Sequence, residues 1–279
     1  MRKLLRSQTA ARLKKLDREV RNVVHKPENA DCIHDLRVSI RRLKQELEVF
    51  AEWFDEENAK AIRKHLRKLM NGCAAVRNCD VAVEVLRAAG CHGPKLLAGI
   101  KKERRGAARE LASKLEHWRS AGRGREWGRY LRVSRVASKE TAREVARRLL
   151  PAMAEELFRA GRGAAAPKST PPRMHRLRLK AKEVRYTLEL FEPVFVRTPP
   201  GSGTKTIMEL LKGLQEKLGA INDCATTLEM VREERAAAES VRRLSREREA
   251  AFRAYWKESF GPRERARWKA VLSAADGKK

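Results

Sequence analysis

The sequence predicts an all-α fold: two tandem antiparallel helical bundles, related by pseudo-twofold symmetry around a basic groove or pore. Three observations carry this reading. Apolar residues recur at helical spacing along almost the whole chain, and no convincing period-two segment marks a strand. A pattern spanning residues 34–50 returns 141 positions later, at 175–191. The stretches rich in Pro and Gly are short, so long amphipathic helices must fold back on their predecessors.

The periodicity predicts helices near 4–24, 31–54, 56–88, 94–120, 138–159, 172–191, 205–236, 239–258 and 262–275. Asp55 is placed to cap the third of these. Thr206 with Glu209 has the spacing of a capping box. Gly261-Pro262 sets a helix-ending glycine beside a helix-starting proline. The run Gly161 to Pro172 reads as a linker, which divides the chain into a first half (1–160), the linker (161–172) and a second half (173–279). Residues 197–203 read as a second loop. The tryptophans at 53, 118, 127, 256 and 268 fall at amphipathic core positions.

With 279 residues and 42% apolar content, the chain can bury a substantial core. Its 64 Lys and Arg against 36 Asp and Glu leave a formal charge of +28. Self-repulsion of that size disfavours compaction and points to an anionic partner: nucleic acid, polyphosphate or an anionic membrane surface. Charge alone does not choose among them. The five cysteines (32, 73, 79, 91 and 224) include no Cys-x-x-Cys pair, and Cys91-His92 near Cys79 lacks a fourth metal ligand. Small buried thiols in a reducing cytosol are the expectation, with no metal and no cofactor. No apolar run is long enough for a membrane span, and the first residues have no secretory apolar stretch, so a soluble cytoplasmic protein is expected. No pattern sets an oligomeric state.

The repeat contains the candidate site. His34 corresponds to His175, Arg37 to Arg178, Arg41 to Lys182 and Lys44 to Arg185. The apolar set repeats in register: Leu36 with Leu177, Ile40 with Ala181, Leu43 with Val184, Leu47 with Leu188, Phe50 with Phe191. A weaker echo follows, in which Val76-Arg77-Asn78-Cys79 answers Ile221-Asn222-Asp223-Cys224. At about 100° per residue, His34, Arg37, Arg41 and Lys44 fall within roughly 80° of one another, on a different face from the apolar stripe. The row extends roughly 15 Å along the axis, a length suited to a string of phosphates. Two such rows facing one groove would repel each other when empty and would favour an extended polyanion that releases counterions.

These motifs resemble those of the CHAD family, the conserved histidine α-helical domain. The hallmark His-x-x-Arg-Val-x-x-Arg-Arg-Leu is met by His34 to Leu43, and its second-half counterpart by His175 to Tyr186. Leu211 to Asp223 is similar to a further second-half pattern. The resemblance covers most of the chain. It implies two four-helix-type bundles, a central basic pore that binds inorganic polyphosphate, and association with polyphosphate granules. Carried over position by position, it names His34, Arg37, Arg41, Lys44, His175, Arg178, Lys182 and Arg185 as polyphosphate-binding. Arg42 lies beside the row, opposite Glu183 in the repeat. Arg63, Arg67, Lys212 and Lys217 are added by charge and position on the neighbouring helices. Asn78 departs from the family, which often has an acid there, while Asp80 and Asp223 remain.

Two other function classes are weighed against this one. An enzyme acting on phosphoanhydrides would need carboxylates for Mg²⁺ and a phosphate loop. Asp35 and Glu48 are the available acids, Glu46-Leu47-Glu48-Val49-Phe50 lacks the lysine of a triphosphate-tunnel signature, and no nucleophile is paired with a base. No catalytic residue is therefore expected. A nucleic-acid binder suits the charge, but 5% aromatic content supplies few stacking platforms and no DNA-binding signature is present. Non-specific binding to nucleic acid at low salt remains an expected side effect. A membrane partner is not expected, because the basic stripes belong to helices whose apolar faces suit bundle cores.

Overall fold

The computed structural model describes residues 2–132, 140–195 and 203–273. Among them every regular element is helical. The chain divides into two compact units, Met1–Lys139 and Glu140–Lys279.

In the first unit, α1 (Arg2–His25), α2 (Ala30–Val49), α3 (Glu56–Ala88) and α4 (Pro94–Ser120) are the long helices. Each packs on the next, and α4 returns to α1, which closes a four-helix bundle. Leu16 and Val20 of α1, Leu36 and Leu43 of α2, Leu66 and Val76 of α3, and Leu115 of α4 fill its interior. Local chemistry sets the ends. The Asn29 side chain accepts from the amides of Asp31 and Cys32 at 2.9 and 3.0 Å, and Asp55 accepts from Asn58 N at 2.9 Å as expected. The helix expected over 31–54 stops at Val49; Phe50 leaves the helical region and a single 3-10 turn, Ala51–Trp53, follows. A short helix not anticipated from the sequence, α5 (Arg123–Tyr130), lies against α1, α3 and α4. Only Trp127 of α5 is buried, edge-on to Trp118 at 5.4 Å, so one aromatic anchor holds a turn too short to show periodicity.

The second unit contains α6 (Ala142–Ala165), α7 (Pro171–Phe195), α8 (Gly203–Met230), α9 (Arg235–Ser259) and α10 (Pro262–Ser273). The packing order of the first unit recurs: α6 on α7, α7 on α8, α8 on α9 and α9 on α6, with α10 against α6 and α8. Phe158, Trp256, Phe260 and Trp268 form an aromatic cluster, with Trp256 and Phe260 stacked at 4.6 Å. All five tryptophans are 6% exposed or less, as core positions require.

Several boundaries differ from expectation. The linker expected at 161–172 begins five residues too early, because α6 continues to Ala165 and only 166–170 connect it to α7. The reason is steric. A Cβ on Gly161 would lie 1.7 Å from the Trp256 ring, so this glycine is a seat for an indole rather than a helix breaker. Helix α6, expected in the first half, accordingly packs with the second unit. The working capping box is Thr141 with Glu144, whereas Thr206 already lies inside α8 and its hydroxyl accepts from Arg267 at 3.4 Å. The α8–α9 break falls at 231–234, where Arg-Glu-Glu gives no stop signal, rather than near 237–238. Most of the loop expected at 197–203, the start of the helix expected at 138, and the end of the one expected at 275 lie outside the described residues.

Gly161→Ala is expected to cost at least about 1–3 kcal/mol, the usual scale of overpacking. Urea unfolding followed by tryptophan fluorescence would measure it; a midpoint unchanged from the parent would contradict the packing described for Trp256.

Candidate functional site

Helix α2 carries its two stripes as separate faces. Ile33, Leu36, Ile40, Leu43 and Leu47 are fully buried, which fixes the helix's rotation in the bundle. That rotation leaves His34 exposed and Arg37, Arg41 and Lys44 half-buried, with a guanidinium nitrogen of Arg37 and of Arg41 shielded from solvent. The row is a cluster in space as well as on a helical wheel. The positive charges of Arg41, Arg77 and Arg37 each push the His34 pKa down, in addition to the larger effect of burial, while Asp35 pulls it the other way. Below the row lies Cys73 of α3, whose thiol is pushed up to about 11 by burial against the opposing pull of Arg37 and Arg41.

Arg77 is the member that sequence reasoning left out. It stands on α3, pairs with Glu84 at 3.2 Å, and brings a guanidinium from a second helix to the histidine. The signal was available in the echo that matches Arg77 with Asn222. In the second unit, Asn222 Oδ1 lies 3.3 Å from His175 Nδ1, so the same helix pair meets the histidine at the same point of the repeat.

Helix α7 is built likewise. Leu177, Ala181, Val184, Leu188 and Phe191 are buried, His175 is exposed, and Arg178, Lys182 and Arg185 are half-buried. The fourth cation of each row is tethered to an acid one turn on: Lys44 to Glu48 at 3.2 Å, and Arg185 to Glu189 at 3.2 Å. Arg185 also donates to Gln215 Oε1 at 2.8 Å, and Gln215 donates to the Ala181 carbonyl at 2.8 Å, which stitches α7 to α8. Glu48, weighed as a metal ligand, is thus the partner of Lys44.

The accessory residues separate into groups. Arg63 donates to the Leu47 carbonyl at 2.9 Å, and so satisfies one of the last carbonyls of α2. Arg67 and Lys212 are exposed, each within about 80° of the face that meets α2 or α7. Lys217 is exposed on the far side of α8, roughly 140–160° from Gln215 and Asn222, so it does not join the row. The backbone carbonyl of Arg42 accepts from Arg12 at 2.9 Å, and its position on the helix lies toward α1, apart from the row. Nearby, Glu46 is fully buried between Arg12, at 2.6 Å, and the Thr9 hydroxyl; burial raises its pKa while Arg12 works against the rise. The repeat places Thr187 at the equivalent position, also fully buried. Asp80 accepts from Arg104 at 2.6 Å and joins α3 to α4, a structural role for the carboxylate next to the departing Asn78.

The CHAD domain family model matches residues 7–232, most of the chain and both histidine helices. The chain belongs to the CHAD family. Two solved structures share the CHAD-like fold over nearly the full length. PptA from Streptomyces chartreusis is 16% identical with a TM-score of 0.64, over 91% of this chain and 98% of that one. The CHAD domain from the plant Ricinus communis is 21% identical with a TM-score of 0.58, over 98% and 92%. At these identities the likeness establishes the fold alone. No curated protein matches. Within the CHAD frame, no described helix is long and apolar enough to cross a membrane.

Arg63→Ala is expected to lower stability by about 1–2 kcal/mol through the orphaned Leu47 carbonyl, and Arg67→Ala by less than about 0.5 kcal/mol. Urea titrations of the two variants side by side test the distinction, which is lost if they shift equally.

Proposed function

We propose that this CHAD domain binds long inorganic polyphosphate without performing chemistry on it, through the two histidine-led rows. His34, Arg37, Arg41 and Lys44 form one row, and His175, Arg178, Lys182 and Arg185 the other. Arg77 and Asn222 stand beside the histidines, with Arg67 and Lys212 as outlying contributors. Each row is a binding stretch of its own unit, and binding to the polymer associates the protein with polyphosphate granules. The observation that carries the reading is the repeated row itself: on both α2 and α7 an exposed histidine leads three half-buried cations, beside an apolar stripe that is buried in the core. Like charges concentrated in this way are costly alone and favourable against a dense anion. The tethers on Lys44 and Arg185 hold the row's fourth cations in position before any ligand arrives.

The double variant Arg37→Gln/Arg178→Gln is expected to bind long-chain polyphosphate at least tenfold more weakly, on the order of 1.4 kcal/mol, with a shallower salt dependence. Lys217→Gln/Lys257→Gln removes the same charge from exposed positions outside the rows and is expected to change little. Anisotropy titrations at moderate salt compare them, and equal losses would replace the rows with diffuse charge. In the same assay polyphosphate should displace duplex DNA at matched phosphate concentration, and its chain length should be unchanged after prolonged incubation with Mg²⁺.

A pH dependence follows from His34. Burial first, and then the charges of Arg41, Arg77 and Arg37, hold its pKa below the ordinary value of about 6.5; a bound polyanion would offset those charges and raise it. Binding then takes up a proton, and affinity increases as pH falls through this range. Titration of the His34 ring by NMR, with and without polyphosphate, reads the shift directly; a pKa that stays put or falls on binding would exclude His34 from the contact.

A further inference from the structure

The first unit contains a cavity that the rows do not line. It has a volume of about 580 Å³ and lies where α3 and α4 meet the start of α5. Its α3 wall is a different face from the row: Gly72 and Ala75 stand roughly 140–160° around the helix from Arg77. The floor is apolar, made by Leu69, Gly72, Ala75, Ala107 and Leu111. The absence of a side chain at Gly72 leaves depth here, since a Cβ would already touch a Leu111 methyl at 3.1 Å.

The rim has the opposite character. Lys68, Lys114 and Arg123 bring positive charge, and His65 and His117 bring imidazoles. The one acid in the lining, Glu110, is occupied by Lys114. Arg123 pairs with Glu126 at 2.7 Å. One further group points to a ligand. Trp118 lines the cavity, is only 6% exposed, and its indole N–H has no acceptor among the described residues. A buried donor in that state costs free energy that an incoming acceptor would recover. The ring itself is fixed edge-on against Trp127, which also meets His65 at 6.2 Å.

We propose that this cavity binds an amphipathic organic anion, an aryl or short alkyl carboxylate or sulfonate. Its apolar body lies on the floor between α3 and α4, and its anionic head accepts the Trp118 N–H beneath the cations of the rim. The volume is that of a small-molecule site. Inorganic polyphosphate, having no apolar body, gains nothing from the floor. The proposal is independent of the function assigned to the rows.

The test uses the full chain and 8-anilinonaphthalene-1-sulfonate at moderate salt. One saturable site is expected, with blue-shifted emission and energy transfer from tryptophan. Trp118→Phe keeps the ring and removes the donor, and is expected to weaken binding about tenfold, the scale of a hydrogen bond to a charged group. Ala75→Phe adds bulk at an exposed position of the wall and is expected to abolish binding. Both variants should retain helical circular dichroism, cooperative unfolding and polyphosphate binding, which separates loss of the site from loss of fold. Probe binding that persists unchanged in both variants overturns the proposal. So does stoichiometric displacement of the probe by polyphosphate, which would return it to the basic rows.

Discussion

Everything in this structure depends on one helix serving two masters. Helices α2 and α7 each insert an apolar stripe into a bundle core and carry cations on a different face, and the first requirement determines the second. With Leu36, Ile40, Leu43 and Leu47 fully buried, α2 has no rotational freedom, so the direction of His34, Arg37 and Arg41 is set by packing. Hydrophobic burial is non-directional in itself, but a stripe of known angular position turns it into an orienting force. The charged residues need no scaffold of their own, because the core supplies it.

The electrostatics follow the same division. Acids are spent where they hold helices together or fix a side chain: Asp80 on Arg104, Glu46 on Arg12, Glu189 on Arg185. The repeat does not copy every such contact. A buried glutamate, Glu46, held by Arg12 occupies the first unit where the second has a buried threonine at position 187, so the two units solve one packing problem with different chemistry. What is common to both is narrower: the histidine, the cations on its helix, the tethering acid one turn beyond the row, and the residue of the following helix that meets the imidazole.

How far the sequence could be read depended on whether a property was periodic. The all-helical class, the core stripes of α2 and α7 and the two rows all repeat at a known spacing and were legible. Arg77 was not picked out, since it belongs to the site by proximity across two helices, although its match with Asn222 was visible. Lys217 was assigned by charge alone, and charge has no angular information; α8 turns that residue away. Arg63 has the right sign but its guanidinium is directed to a backbone carbonyl, a destination no side-chain pattern reveals. The boundary between halves was missed because glycine has two uses. In Gly161-Arg162-Gly163 the sequence offers a breaker, and the fold uses the first of these residues as a clearance for Trp256.

That clearance also limits how the second unit can move. An indole resting directly on the backbone of α6 works like a pin in a notch: one helical turn to either side the notch is closed, by Leu157 and by Ala165. Helix α9 is therefore indexed to α6 at one axial position. Sliding of this pair is not an available response to a ligand, and the aromatic cluster around Phe158 travels with it as a rigid cassette.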